Sequence, residues 1–183
     1  MSRAETNPDS VRESFWGFLP VITCCGVLAV AGASIPQSRD ARLSVVPRTN
    51  LTSGQKIRVS GADFAKGTTG GIVECSDAPG QPTIKVYGNK VRVSCTNPLK
   101  ELFSTNKNGS FTPLTFVVHE HKVGPPAEGK DSAGHSASVD AAKYPCPPTP
   151  AQVRAGDVCI INAGDASGDN VTIPITFKNK TFF

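Results

Sequence analysis

Apolar residues recur at every second position along much of this chain. Val73 and Cys75 alternate at the end of one run, Ile84 and Val86 along a second, and Val91, Val93 and Cys95 along a third. Alternate side chains of a strand share a face, so both sulfurs are expected to point with the valines towards an apolar interior or cleft. Gly88-Asn89 between the second and third runs predicts a two-residue turn and hence a hairpin. Upstream, Leu43 and Val45 before Pro47 predict an edge strand, and Ile57 and Val59 a second strand with one wet face. Gly61, Phe64 and Gly67 predict a corner plugged by Phe64. Downstream, 110–121 predicts a strand with Leu114, Phe116 and Val118 on its core face. The stretches 157–162 and 171–177 predict the last two strands, with Ile173, Ile175 and Phe177 facing the core. Beyond the N-terminus no apolar i, i+3, i+4 pattern is sustained. About seven short strands and an extra hairpin, spaced by turns, read as an all-β Greek-key sandwich.

Two segments break this pattern. Residues 15–35 are apolar and carry no charge. The segment is long enough to span a bilayer, which takes about 20 residues, or to be the core of a signal peptide. Ala31-Gly32-Ala33 is a small-x-small site and Pro36 follows, which favours cleavage after Ala33. Either outcome exports the rest, so the protein is expected to be secreted, or anchored on the extracytoplasmic side through 15–35 if uncleaved. Residues 34–42 then form a linker and 43–183 the folded domain. Within that domain 122–152 is rich in Pro, Gly, Ala and Ser without apolar periodicity, and predicts a long flexible loop.

Export makes the cysteines informative. Two of the six, Cys24 and Cys25, lie in the apolar leader. That leaves Cys75, Cys95, Cys146 and Cys159, an even number in an oxidising compartment, which implies bridges. Three pairings are open; Cys75–Cys95 with Cys146–Cys159 closes the shortest loops, each worth about 3 kcal/mol. No CxxC pair supports a zinc site. His119-Glu-His121 puts two imidazoles on one strand face, with His135 as a third candidate ligand, but exposed strand histidines are the simpler reading and no metal is expected. The net charge of +4 is scattered, with no basic run and few aromatics between the charges, so no direct nucleic-acid contact is expected. There is no nucleophile elbow, zinc-protease motif or phosphate loop, and an enzyme is not indicated.

The ordered motifs resemble the neocarzinostatin family of enediyne chromoprotein apoproteins, which are antibiotic carriers. Leu43-Ser-Val-Val-Pro and Leu51-Thr-Ser-Gly-Gln-Lys-Ile-Arg-Val-Ser-Gly61 look like the opening strands. Cys75, Cys95-x-Asn-Pro98 and Phe103 follow, then Asn108-Gly-Ser110, the second cysteine pair, Gly164-Asp-Ala-x-Gly168 and a closing Ile-Thr-Phe177. The likeness covers about 43–177. It implies a seven-stranded immunoglobulin-like sandwich with two disulfides. It also implies a non-enzymatic, monomeric, secreted protein that sequesters a small aromatic, enediyne-like chromophore without covalent attachment. DNA damage would come from the chromophore alone. By this resemblance Cys75–Cys95 floors the cleft, Phe103 lines one wall, and Val158, Ile160, Asn162 and Gly164 line another. The chain departs from the family in a longer Cys75–Cys95 hairpin, in Asp77 where members can carry an aromatic, and in Ile160 where a glutamine is expected. The other reading is a cell-envelope immunoglobulin-like module without a small-molecule ligand.

Overall fold

The computed structural model describes residues 40–178, so the expected signal or anchor segment lies outside the described residues. No helix among the described residues is long and apolar enough to cross a membrane. In chain order the elements are β1 (Arg42–Val46), β2 (Lys56–Ala62), β3 (Thr69–Ser76), β4 (Thr83–Val86), β5 (Asn89–Arg92), β6 (Leu102–Ser104), β7 (Phe111–Val117), α1 (Ala137–Ala141), α2 (Pro150–Arg154), β8 (Cys159–Asp165) and β9 (Asn170–Ile175). They form a sheet of order β1-β2-β7, a second of order β6-β3-β8-β9, and the hairpin β4-β5. All the strand pairings are antiparallel. The chain is mostly β with two short helices, as the alternation predicts.

One apolar core joins the two larger sheets. Val45, Ile57, Val59 and Phe116 from the first pack with Ile72, Phe103, Ile161 and Ile175 from the second. At its centre Phe103 stacks on Phe111, with ring centroids 4.2 Å apart, and meets Phe64 edge-on at 5.6 Å. Gly70 makes room for this cluster: a Cβ there would lie 2.3 Å from the Phe103 ring, so close approach requires glycine. Phe111 reaches the core because the β2–β7 register shifts between Val59 and Gly61. That bulge moves Phe111 onto the inner face, against the simple alternation through Leu114 and Phe116.

Four local expectations are corrected. The hairpin turn is Tyr87-Gly88, not Gly88-Asn89, since Val86 pairs with Asn89. Both turn residues have positive φ (49° and 86°), the combination whose twist suits a two-residue hairpin. Cys95 does not end a strand; β5 stops at Arg92 and the Cys95 N–H closes a turn onto the Arg92 carbonyl at 3.1 Å. β7 ends at Val117 rather than at residue 121, where His121 adopts φ 73° and pairs with Cys146 instead.

The fourth correction is that 122–152 is not structureless. Ala137 and Ala141, one helical turn apart on α1, are fully buried against Ile84, Val86 and Val93. The Thr83 N–H donates to Ser132 Oγ (3.0 Å), and the Ser132 N–H donates to the Thr83 carbonyl (2.8 Å). The segment therefore buttresses the hairpin. α2 starts at a reciprocal cap in which the Thr149 N–H donates to Gln152 Oε1 at 2.8 Å and the Gln152 N–H to Thr149 Oγ1 at 3.4 Å, with Pro150 at the first helical position. Bridges join Cys75 to Cys95 and Cys146 to Cys159, the local pairing.

Candidate functional site

β3 and β8 are buried on both faces. Ile72 on β3 and Ile161 and Ala163 on β8 enter the inter-sheet core. Their neighbours Val73, Cys75 and Ile160 point the other way, and with Cys95 form a separate buried cluster. That second cluster is the floor of a groove of about 860 Å³, open to solvent along one side. The Cys75–Cys95 bridge lies in the floor, and Val91 of the hairpin packs against it.

The flanks follow from strand order. At the β6 edge the groove is walled by Pro98, Leu99 and Leu102, and the two leucines are exposed. At the β9 edge it is polar. Asn162 Nδ2 donates to Asn170 Oδ1 (2.5 Å) and to Thr172 Oγ1 (3.0 Å). A Cβ on Gly164 would lie 4.0 Å from Asn162 Oδ1, so the acceptor oxygen of this amide stands over the glycine. The hairpin supplies Tyr87, 84% exposed, together with Lys90 and Arg92, the latter paired with Asp77. An apolar floor, exposed leucines and an aromatic rim, faced by oriented amides and a cationic edge, can hold a flat apolar ligand by its face and a polar substituent at one end.

Five of the seven ligand-site residues expected from the sequence meet in this groove: Cys75, Cys95, Ile160, Asn162 and Gly164. Two do not. Phe103 is 3% exposed and belongs to the aromatic core between the sheets; its neighbour Leu102 is the β6 side chain that faces the groove. Val158 precedes β8, is outside the groove lining, and contributes its carbonyl to the Asp77 N–H at 2.8 Å. The two have different causes. Phe103 and Leu102 are adjacent on a strand and so lie on opposite faces, which exchanges core and groove. Val158 has the parity of Ile160 and Asn162 but lies before β8 begins.

Comparison with solved structures finds this chain similar to macromomycin, at 19% identity and a TM-score of 0.43, over 75% of this chain and 98% of that one. It is also similar to apokedarcidin, at 21% identity and a TM-score of 0.41, over 75% of this chain and 97% of that one. Both are neocarzinostatin-family apoproteins. No family model and no curated protein matches the chain.

Asn170 and Thr172 were not expected in the site. Their signal was present, because they alternate with Val171 and Ile173 and so must share the face of Asn162 across the β8–β9 pairing. The three histidines do not come together. His119 and His121 are exposed beyond β7, whereas His135 lies beside Asp131 and Asp140. On the core side of β3, Glu74 is fully buried and accepts the His119 N–H at Oε2 (2.8 Å), while Oε1 has no partner. Burial pushes this carboxyl up from 4.5 to about 8, against the lowering effect of the His119 hydrogen bond. It faces away from the groove and is part of the scaffold.

Proposed function

We propose that this protein is a non-enzymatic carrier, secreted or tethered outside the membrane, that sequesters a small aromatic, enediyne-like chromophore in the groove above Cys75–Cys95. It acts as a monomer with an immunoglobulin-like sandwich, makes no contact with nucleic acid itself, and protects its ligand rather than transforming it. The observation that carries this reading is the groove. Its volume falls in the range of about 300–1,000 Å³ common to small-molecule sites. Its floor is a disulfide flanked by Val73 and Ile160, with oriented amides along the β9 flank and Lys90 and Arg92 on the hairpin. The ordered cysteine, Asn-Pro and Gly-Asp-Ala motifs add the family resemblance that suggests the chromophore class.

Titration with a fluorescent naphthoate tests the reading. Saturable binding is expected, with the fluorescence shifted on transfer from water to the apolar floor. Gly164→Leu should weaken that binding by more than about tenfold, since 1.4 kcal/mol of lost contact suffices. The new Cβ would make only ordinary contacts, at 3.6 Å with Asn170 Nδ2 and the Asp169 carbonyl, so the fold should tolerate the substitution while the side chain fills the groove. No saturable binding by any such aromatic probe would remove the carrier reading and leave a cell-envelope module.

A further inference from the structure

The segment that buttresses the hairpin holds a second chemical cluster. Asp131, His135 and Asp140 each bring one ligand atom to within 4.8 Å of the other two. Asp131 and Asp140 are buried, at 7% and 3% exposure, whereas His135 is exposed. Asp131 Oδ1 accepts the backbone N–H groups of Ala133 (2.9 Å) and His135 (3.2 Å). Its other oxygen, Oδ2, is buried without a hydrogen-bond partner. A carboxylate oxygen removed from water and given no donor is costly, and such an oxygen facing a second buried carboxylate calls for a cation.

Asp140 is already partly neutralised. Oδ1 accepts from Lys143 Nζ at 2.6 Å and Oδ2 lies 3.1 Å from His135 Nδ1. Lys143 bonds one oxygen of Asp140 and acts on Asp131 only through its charge, so Asp131 Oδ2 is left without a hydrogen-bond donor.

We propose that Asp131, His135 and Asp140 form a binding site for a divalent metal ion, with zinc as the best match. One imidazole and two carboxylates are a borderline donor set that suits zinc better than calcium or magnesium, which take all-oxygen shells. The ligand atoms must close by about 1 Å to reach bond lengths near 2 Å, and His135, whose side chain is exposed and touches Asp140 alone of the two carboxylates, is the residue able to swing. A fourth position on the solvent side falls to water. Asp131 and His135 lie in the loop that docks on Thr83 through Ser132, and Asp140 lies on α1, whose Ala137 and Ala141 pack under the hairpin. The bound ion clamps this loop to the helix and so fixes the support of the hairpin wall.

The test is calorimetric titration of chelator-treated full chain with zinc, paired with the ligand-field absorption of the cobalt complex. One ion per chain is expected. His135→Ala, at an exposed position, should weaken binding more than about tenfold while leaving the fold intact, and Asp131→Asn should do the same at nearly constant volume. The doubly substituted His119→Ala/His121→Ala chain should bind as the parent does. Absence of stoichiometric zinc binding, or binding unchanged in His135→Ala, or binding lost with His119 and His121, would overturn the assignment.

Discussion

Glu74→Gln should abolish the largest single pH dependence of stability that the described residues carry. In the folded chain the Glu74 carboxyl stays protonated up to about pH 8, because burial disfavours its charged form more than the His119 N–H favours it. Unfolding returns the group to water, where it ionises near its ordinary value of 4.5. Below that value both states hold the proton and Glu74 contributes no pH dependence. As pH rises from there towards 8 the unfolded chain binds fewer protons than the native one, so stability falls. At 1.36 kcal/mol per unit the loss over this window is about 4–5 kcal/mol. Glutamine keeps an oxygen for the His119 N–H and cannot ionise. It brings an amide N–H₂ into a site where Oε1 has no partner, at a cost of about 1–3 kcal/mol. Urea unfolding should therefore find the variant equal to or below the parent at pH 5 and above it by about 2–3 kcal/mol at pH 8. Parallel pH profiles for the two chains would show that Glu74 titrates normally in the fold.

The same residue shows what period-two reasoning can and cannot read. On β3 the order Ile72, Val73, Glu74, Cys75, Ser76 is buried throughout. Alternation identifies a strand, and correctly groups Val73 with Cys75, but it does not tell which face meets the opposing sheet when both faces are covered. Ile160 and Ile161 on β8 pose the same problem, and there the family motif rather than the apolar pattern picked out Ile160. Phe111 was hidden by a bulge, which resets the parity in mid-strand and leaves no mark in the apolar pattern of β7. The 122–152 segment was hidden by its composition. The apolar side chains it packs under the hairpin include Ala137 and Ala141, small residues whose burial depends on the shape of the hairpin above them. Asp131, His135 and Asp140 are separated by four and five positions across a loop and a helical turn, a spacing that announces nothing until the chain is folded.

Phe103→Ala and Leu102→Ala should separate core from groove by one residue. Phe103 is stacked 4.2 Å from Phe111 and edge-on to Phe64, with 3% of its surface exposed. Removing its ring leaves a cavity between the sheets and should cost about 3–5 kcal/mol. Gly70, which has no side chain to move into that cavity, offers little relief. None of this reaches the face on which Cys75, Ile160 and Asn162 lie, so molecules that remain folded should bind a naphthoate probe with the parent's affinity. Leu102 is 53% exposed and walls the groove. Its truncation should change folding stability by less than about 1 kcal/mol, as expected of a half-exposed position, yet weaken the probe several-fold by removing apolar contact. Unfolding curves and probe titrations on both variants, with affinity corrected for the folded fraction, measure the two effects independently. If Phe103→Ala instead weakens the probe in folded molecules while Leu102→Ala leaves it unmoved, the ligand enters between the sheets, and the groove over the Cys75–Cys95 bridge is not its site.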